Sequence, residues 1–370
     1  MKLTVDRQQF LKAITTVDGI IPAREIRSVY SNVLMDVDKN TMSLTTTDLE
    51  MSLKTRLNVQ MERKGTTTVP ARKMAQIIST LDGETLELSI DGDRILMKPL
   101  QSTTRARIEL VTSPAADYPT VPVIAENQFV SFPAAVLREM IQRTQYAMAQ
   151  DDSRYVFNGI FARTNKSDMI LVATDGRRLS KIQRDLGTTL PFKDGIILPA
   201  KAVKELFRLL DASEDSSVAF DEKDRRVHFK IGNVELIVKL IDGSFPDYEQ
   251  VIPRKIDYRI RVQRSELEKA VRQAASVAIE PARQVRLQIS QNSVGFQSST
   301  PDLGKGDNEL DCDYSGPDMV IGFNSVYLLD VLKVIESDDV SIGFTSPSAP
   351  AVVTDPSDTE FVAVVMPMKI

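Results

Sequence analysis

The chain of 370 residues contains a single histidine, His228, and a single cysteine, Cys312. One cysteine excludes an intramolecular disulfide and indicates a reducing compartment. Histidine is the most common metal ligand and general base, but His228 lies in a strand-like run, Arg-Val-His-Phe, where a structural role is more common than a catalytic one. No set of nucleophile, base and orienting group can be assembled. The sequence therefore favours a binding or structural protein over an enzyme.

The glycine-rich motifs that bind nucleotide phosphates, G-x-x-x-x-G-K-[ST] and G-x-G-x-x-G, do not occur. No apolar run approaches the roughly 20 residues of a membrane span, and the N-terminus becomes charged before a signal-peptide core can form. Carboxylates cluster at Asp151 and Asp152 and within residues 302–313, but neither group has the spacing of a known metal loop. We predict a cytoplasmic protein with no membrane association, no metal and no cofactor.

The same apolar stripe occurs three times along the chain. Its four residues stand at positions i, i+3, i+4 and i+7, the spacing of one buried helix face, and each stripe follows a short β-type run. The stripes are Met74, Ile77, Ile78 and Leu81; Val203, Leu206, Phe207 and Leu210; and Leu328, Val331, Leu332 and Ile335. Their spacings of 129 and 125 residues predict a repeated unit that fills almost the whole chain.

Three further matches recur at similar offsets. Phe10, Ala13 and Ile14 correspond to Leu137, Met140 and Ile141, and again to Leu267, Ala270 and Val271. The segments Leu-Thr-Thr-Thr-Asp and Leu-Val-Ala-Thr-Asp end at Asp48 and Asp175, and two Asp-Tyr pairs precede proline-containing linkers. We place the domains at residues 1–125, 126–255 and 256–370. The alternative is three unrelated domains that share helix periodicity by chance. Four matches in the same order argue against it.

Between the helices of each unit the sequence is rich in β-forming residues. Residues 41–46, 85–90 and 94–98 alternate or are β-rich. Asp91-Gly92-Asp93, between the last two, has the composition of a hairpin turn. The pattern predicts an α+β fold in which each unit packs two helices on one face of antiparallel sheet.

Charge is distributed unevenly between the predicted helices and the rest of the chain. The windows 6–17, 71–81, 133–148, 200–210, 264–278 and 324–335 contain 13 basic and 6 acidic residues. Their net charge is +7, whereas the whole chain carries −5 and the remainder −12. A basic helix face suits sequence-independent contact with DNA phosphates. The alternative is that lysine and arginine, as good helix formers, only fill solvated faces.

The end of the chain combines a buried strand, Phe-Val-Ala-Val-Val, with the tail Met-Pro-Met-Lys-Ile. Methionine and proline form the adaptable apolar surface that binds varied peptides. A core strand with a frayed end would have the same composition, so the tail alone leaves both interpretations open.

Five features together resemble the bacterial β sliding clamp, the processivity factor of the replicative DNA polymerase. They are the triplicated unit, the segment Thr68-Val69-Pro70-Ala71-Arg72-Lys73, the segments that begin at Ala173 and Asp242, and the ending Val364-Val365-Met366-Pro367-Met368. The resemblance covers the entire chain. It implies three DNA-clamp domains per chain and a head-to-tail homodimer that forms a six-domain ring around duplex DNA. It also implies no catalysis, no cofactor and loading by a separate ATP-driven clamp loader.

The resemblance further implies a groove between the second and third domains for short peptides of the polymerase, the clamp loader and other partners. The corresponding residues are Arg154, Phe157, Thr174, Gly176, Arg177, Arg178, Leu179, Pro246, Gln250, Val251, Tyr327, Val364, Val365, Met366, Pro367 and Met368. Arg177 stands where the family usually has histidine, and Gln250 where arginine is common. We expect the groove to persist with a different charge and a different preferred peptide.

For DNA, the resemblance assigns a set of six residues, Arg24, Arg72, Lys73, Gln150, Tyr155 and Lys201. It assigns the dimer seam to a first-domain edge strand with Ile108 and Leu110 and to the third domain near Val277. Two other hypotheses stay open. One is a repeat-based peptide-binding scaffold without a DNA role, and the other is a metal-dependent DNA-processing enzyme that uses the clustered carboxylates.

Overall fold

The computed structural model describes residues 1–21, 29–211, 214 and 216–370. These residues form two compact units. The first unit comprises Met1–Ala134 and Lys204–Leu240, and the second comprises Ala135–Val203 and Ile241–Ile370.

Each helix of the described residues lies within a few residues of a predicted window. The helices are α1 Arg7–Asp18, α2 Ala71–Thr80, α3 Ala134–Thr144, α4 Ala200–Leu210, α5 Arg264–Ala274 and α6 Ser325–Leu332. Helices α3 and α5 are shorter than predicted because the chain tightens into 3-10 turns at Gln145–Ala147 and Ala275–Val277. Tight 3-10 turns are common at helix ends.

The strands follow the predicted α+β pattern. They are β1 Lys2–Asp6, β2 Asn32–Asp38, β3 Thr41–Thr47, β4 Met51–Asn58, β5 Gln60–Arg63, β6 Gly65–Pro70, β7 Thr85–Asp91, β8 Arg94–Leu100, β9 Ile108–Val111, β10 Val130–Ser131, β11 Gly159–Asn165, β12 Asp168–Thr174, β13 Arg178–Asp185, β14 Ile196–Pro199, β15 Ser216–Asp221, β16 Arg226–Ile231, β17 Val234–Lys239, β18 Tyr258–Gln263, β19 Gln284–Ser290, β20 Ser293–Thr300, β21 Gly304–Asp311, β22 Met319–Asn324, β23 Asp339–Phe344, β24 Ala351–Asp355 and β25 Asp358–Val365.

The first unit contains two antiparallel sheets, with strand orders β5-β1-β7-β8-β9 and β10-β15-β16-β17-β4-β3-β2-β6. Asp6 caps the N-terminus of helix α1, because its carboxylate accepts a hydrogen bond from the Gln9 amide at 2.7 Å. The buried face of α1 includes Phe10 and Ile14, and that of α2 includes Met74 and Ile78. These are residues of the predicted stripes, so the helical periodicity correctly identified the core face.

The second unit also contains two antiparallel sheets, with strand orders β14-β11-β12-β13-β25-β24-β23-β18 and β21-β20-β19-β22. Helix α5 buries Leu267 and Val271, and α6 buries Leu328 and Leu332. The Asn324 side chain caps α6 by accepting a hydrogen bond from the Val326 amide at 2.9 Å.

The two eight-stranded sheets have the same topology. Strands β6-β2-β3-β4 of the first sheet correspond to β14-β11-β12-β13 of the second, and β17-β16-β15-β10 correspond to β25-β24-β23-β18. Each sheet therefore joins strands of two successive sequence repeats, through the antiparallel pairs β4–β17 and β13–β25. The middle repeat supplies strands to both compact units.

The structure places His228 and the acidic segment 302–313, two features of the sequence that were considered as possible chemical sites. His228 is fully buried on β16, and its Nδ1 lies 3.1 Å from Glu235 Oε1. In the acidic segment 302–313, residues 302 and 303 lie in a turn that leads into the strand β21. Within the described ranges, no group of three or more histidine, cysteine or carboxylate side chains is arranged to hold a metal. No helix among these residues is long and apolar enough to cross a membrane.

Arg143 on α3 is a buried cation that links this helix to the β24–β25 hairpin. Its guanidinium lies 2.8 Å from Asp358 and 3.6 Å from Asp355. Glu139 and Glu336 lie 3.3 and 3.2 Å away. Because only 5% of the Arg143 side chain is exposed, these carboxylates rather than bulk water balance its charge.

The Asp355 carboxylate beside Arg143 is itself buried. Burial alone would raise the pKa of the Asp355 carboxyl, but hydrogen bonds from the side chains of Ser357 and Ser337 and from backbone amides outweigh it and hold the pKa at about 2. The buried carboxylate is therefore ionised at neutral pH, and Arg143 supplies a compensating positive charge.

We predict that Arg143→Met lowers the free energy of unfolding by about 3–5 kcal/mol, because removal of one partner leaves buried charge uncompensated. The control is Arg272→Met, which removes an exposed pair with Glu268 and should change stability by less than about 0.5 kcal/mol. Urea unfolding at pH 7, followed by circular dichroism, measures both. Equal stability of the two variants would contradict the compensating role of Arg143.

Candidate functional site

The turn between β12 and β13, residues 174–178, forms one wall of the candidate site. Thr174 Oγ1 donates a hydrogen bond to the Arg178 carbonyl at 2.6 Å and accepts one from the Gly176 amide at 3.0 Å. Asp175 Oδ1 accepts hydrogen bonds from the amides of Arg177 and Arg178 at 2.9 and 3.0 Å. These bonds within residues 174–178 stabilise the turn locally.

Gly176 is required in this turn for two reasons. Its φ of +82° lies in the left-handed region that favours glycine. A Cβ at this position would also lie only 2.9 Å from the guanidinium of Arg154. The glycine therefore allows both the tight turn and the close approach of the arginine.

An apolar floor lies beside this turn. Its buried members are Ile170, Val172, Leu179, Tyr248 and Val364, and the partly buried Phe161, Phe245 and Ile252 pack against them. The rings of Phe161 and Phe245 stack at a centroid distance of 5.0 Å, and the Phe157 ring meets Phe245 edge-on at 6.0 Å. Such aromatic packing gives the floor a defined shape.

The floor and the turn enclose a small pocket of about 90 Å³. It is lined by Phe157, Thr174, Gly176, Arg177, Arg178, Leu179, Phe245, Pro246, Asp247, Tyr248, Val251, Val364 and Met366. Pockets that enclose whole cofactors or drug-sized ligands have volumes of about 300–1,000 Å³. This pocket is therefore suited to an apolar side chain of a larger partner.

The C-terminal tail completes the pocket. The Met366 amide donates a hydrogen bond to the Arg177 carbonyl at 2.9 Å and so extends the β13–β25 pairing by one residue. Two residues later, the Met368 amide donates to the Gly322 carbonyl at 2.8 Å. The backbone on both sides of Pro367 is thus anchored, and the Met366 side chain remains 37% exposed at the pocket.

Two arginines at the rim are held by carboxylates and aromatic rings. The Arg154 guanidinium lies over the Phe157 ring at 4.6 Å and pairs with Asp152 at 3.0 Å. Arg178 bridges Asp175 at 3.0 Å and Asp330 at 2.8 Å. Its guanidinium also lies 4.6 Å from the centre of the Tyr327 ring. These fixed arginines make a rigid rim.

Arg177 differs from the other two rim arginines. Within the described part of the chain, its side chain makes no hydrogen bond or ion pair, and only its backbone is fixed by the turn. A free guanidinium at the pocket favours a partner that carries a carboxylate. Gln250 is instead engaged, since its amide nitrogen donates to Asp247 Oδ2 at 2.8 Å.

The structure brings most of the assigned groove residues together. Ten line the pocket, namely Phe157, Thr174, Gly176, Arg177, Arg178, Leu179, Pro246, Val251, Val364 and Met366. Arg154 and Tyr327 contact lining residues, whereas Gln250, Val365, Pro367 and Met368 do not line the pocket. Val365 is fully buried and faces away from its neighbour Val364, because successive side chains on a strand alternate.

Three lining residues were not assigned from the sequence, namely Phe245, Asp247 and Tyr248. They belong to the segment that begins at Asp242, of which only Pro246 was assigned to the groove. The sequence of this segment contributed to the family resemblance as a whole. Which of its side chains face the pocket depends on packing against β11 and β12.

The residues assigned to DNA lie in several elements. Arg72 and Lys73 are in the first turn of α2, and Lys201 is in the first turn of α4. Tyr155, which is 59% exposed, lies in the segment that leads to β11. Gln150 is exposed in the same segment. Arg24 lies outside the described residues.

The observed helices confirm the predicted charge asymmetry with a slightly smaller value. They contain twelve basic and six acidic residues, because α6 ends before Lys333. Eight of the basic residues are exposed, namely Lys12, Arg72, Lys73, Lys201, Lys204, Arg208, Lys269 and Arg272. Of the acidic residues only Glu266 is exposed. The helices therefore present a far more basic surface than their composition suggests.

The residues assigned to the dimer seam lie at or near sheet edges. Ile108 and Leu110 are half-buried on β9, which pairs only with β8 among the described strands. Val277 lies in the 3-10 turn after α5, and its carbonyl accepts a hydrogen bond from Thr300 Oγ1 at 2.6 Å on β20. Strand β21, next to β20, is the edge of its sheet.

Comparisons with known proteins agree over the whole chain. Family models of the DNA polymerase III beta subunit match residues 1–122 as its N-terminal domain, 131–247 as its central domain and 249–369 as its C-terminal domain. The beta sliding clamps of Escherichia coli (strain K12) and Pseudomonas aeruginosa are 35% and 34% identical to the chain, with 100% of both sequences covered in each case.

Solved structures give the same result. A crystal structure of the DNA polymerase sliding clamp from Pseudomonas aeruginosa has a TM-score of 0.94 at 33% identity, and one of the Caulobacter crescentus beta sliding clamp has 0.94 at 29%. Both comparisons cover 100% of each chain. The predicted fold class, α+β with three clamp domains, is thereby confirmed, and the chain belongs to the DNA polymerase III beta subunit family, the bacterial β sliding clamps.

Proposed function

We propose that two copies of the chain join head to tail into a ring that encircles duplex DNA and tethers the replicative polymerase. The three domains of each copy are placed at residues 1–125, 126–255 and 256–370, which gives six domains in the ring. The ring acts in the cytoplasm, performs no reaction itself, and is opened by a clamp loader. The observation that carries this proposal is the match of all three family domains over the full length.

The charge on the helices supports contact with DNA. Eight exposed basic side chains against one exposed acidic side chain give a surface that attracts phosphates regardless of base sequence. Arg72, Lys73 and Lys201 are exposed members of this set, and we assign them to DNA with Arg24, Gln150 and Tyr155. Contacts of this kind hold a protein near DNA and leave it free to slide.

Topological retention is the decisive property of a clamp. We predict that the protein, loaded on a nicked circular plasmid by a clamp loader with ATP, stays bound through gel filtration and is released when the plasmid is linearised. Equal binding to linear and circular plasmid, with a steep loss as salt rises, would contradict encirclement. Lys73→Glu with Lys201→Glu should lower loading, whereas Lys64→Glu with Lys255→Glu, exposed lysines outside the helices, should not. Unchanged loading of both variants would favour the scaffold hypothesis.

The pocket of the second unit is proposed as the docking site for partner peptides. Its apolar floor and its small volume suit the apolar side chains of a short linear motif. Its fixed rim arginines and the free Arg177 suit a motif with acidic or polar neighbours. The other assigned residues, Arg154, Gln250, Tyr327, Val365, Pro367 and Met368, remain part of the proposed groove around the pocket.

We predict that Met366→Asp weakens the binding of a polymerase-derived clamp-binding peptide at least tenfold, because it places a charge at the apolar pocket. Val320→Asp is the control, since Val320 is similarly exposed, at 42%, but lies on β22. Fluorescence anisotropy of a labelled peptide measures both. Deletion of residues 366–370 should abolish binding while the dimer persists, and an unchanged peptide affinity after that deletion would overturn the site.

The seam between copies is proposed to pair the edge strands β9 and β21. Exposed edges are templates for strand addition, and the two edges differ in charge. Arg105 and Arg107 precede β9, whereas β21 carries Asp307, Glu309 and Asp311 with a single lysine. Opposite charge favours a head-to-tail contact over a contact between two identical edges.

We predict that Leu110→Asp converts the dimer into monomers, because it places a charge in the apolar part of the seam. Light scattering should then give the 41.2 kDa of one chain in place of twice that mass. Val123→Asp, at an 86% exposed position outside the strands, should leave the dimer intact. A dimeric Leu110→Asp variant would move the seam away from β9.

A further inference from the structure

A cavity in the first unit is lined by basic residues and by no carboxylate. It lies where α1, the end of α4, β4 and the β16–β17 hairpin meet, and its volume is about 650 Å³. Volumes of about 300–1,000 Å³ are typical of small-molecule sites. Lys12, Arg56 and Arg208 line it together with the amide side chains of Gln9, Asn58 and Asn233. This is unusual in a chain whose net charge is −5.

The three cations of the cavity are not equivalent. Arg208 is compensated, because its Nε lies 3.1 Å from Glu205 Oε2 and its Nη2 donates to the Thr16 carbonyl at 3.0 Å. Lys12 and Arg56 make no side-chain hydrogen bond or ion pair with any residue in the described ranges, and both are exposed to the cavity. The cavity therefore holds two positive charges without a counter-ion from the protein.

Residues of this cavity have equivalents in the second unit, because the two units contain successive repeats. The repeat offset of 127 residues relates Lys12 to Glu139, Thr16 to Arg143 and Arg56 to Gln183. The strand registers agree, because Arg56 pairs with Ser43 and Gln183 with Ile170, which differ by the same offset.

In the second unit, side chains of the protein itself occupy the position that corresponds to the cavity. Arg143 occupies it, and Glu139, Asp355 and Asp358 compensate the arginine. In the first unit the arginine is replaced by Thr16, and the short β16–β17 turn consists of Gly232 and Asn233 instead of a carboxylate-bearing hairpin. The first copy thus has uncompensated cations around a cavity, whereas the second has an arginine surrounded by carboxylates.

We propose that the cavity of the first unit binds a phosphate-bearing anion. A guanidinium, an ammonium and several amide donors around one volume match the many acceptor oxygens of phosphate groups. A low-dielectric wall strengthens that attraction relative to open solvent. The phosphate groups come either from a free phosphorylated molecule or from the DNA backbone. The proposal does not depend on the ring, since all of its residues lie in one compact unit.

Titration of the full-length protein with inorganic pyrophosphate tests the site. Isothermal titration calorimetry should show saturable binding, weakened at least tenfold in Lys12→Gln with Arg56→Gln. The control, Lys64→Gln with Arg254→Gln, removes one exposed lysine and one exposed arginine outside the helices and should change affinity less than twofold. No saturable binding to the native protein, or an equal loss in both double variants, would overturn the proposal.

A second variant tests the comparison between the units. Lys12→Glu with Arg56→Gln installs the Glu139 and Gln183 side chains at the equivalent positions of α1 and β4 and removes both uncompensated cations, so it should abolish pyrophosphate binding without lowering the urea midpoint. Retained binding in this variant, with the native midpoint, would also overturn the site.

A duplex added to the pyrophosphate complex identifies the source of the phosphate. Displacement of pyrophosphate assigns the site to the DNA backbone, and its retention assigns the site to a free phosphorylated molecule; both outcomes support a phosphate site. Plasmid retention and peptide binding are separate measurements, so failure here leaves the proposed clamp function untouched.

Discussion

Strand pairing between successive repeats is the constraint on which the rest of the structure depends. The pairs β4–β17 and β13–β25 convert edges that separate repeats would expose into continuous antiparallel ladders. This pairing explains why the compact units cut across the sequence repeats. It also builds the pocket, because Val364 and Met366 reach the turn at residues 174–178 only through the β13–β25 ladder. The groove is therefore a property of two repeats joined, and neither repeat contains it alone.

The corresponding junction in the first unit has the same backbone hydrogen bonds but different side chains. The turn at residues 47–51 makes the same threonine and aspartate hydrogen bonds as the turn at residues 174–178. The Lys239 amide donates a hydrogen bond to the Glu50 carbonyl of this turn at 2.8 Å, just as the Met366 amide donates to the Arg177 carbonyl. Leu49, however, takes the position of the glycine at a φ of +75°, which costs about 1–3 kcal/mol. Lys239 and the left-handed Leu49 thus stand where the second unit has Met366 and Gly176, while the shared hydrogen bonds are kept.

Local periodicity encodes the helices, so their positions and buried faces were predictable from the sequence, down to Phe10 in α1 and Leu328 in α6. The pocket was only partly predictable because its geometry depends on which distant strands pair. Tyr248 joins the floor through contacts with β11 and β12, and no spacing in its own segment specifies them. The burial of Arg143 was unpredictable for the same reason. Its helix position is that of a solvated cation, and its burial follows from carboxylates more than 200 residues away, such as Asp358.

Net charge is a poor guide to what this chain attracts, because its charges are compensated to different degrees. The acidic side chains of the helices are mostly turned inward into ion pairs, as Asp18 is with Arg72 and Glu205 with Arg208. The lysines remain exposed on flexible stems. For the proposed sliding function this division is useful, since exposed ammonium groups attract phosphates without fixing a register. Arginines held by carboxylates, such as Arg178, serve instead where a partner must bind in one geometry. The proposed mobile contact with DNA and the proposed specific contact with peptides are therefore compatible in one chain, because the compensation of each charge by the protein differs between the two surfaces.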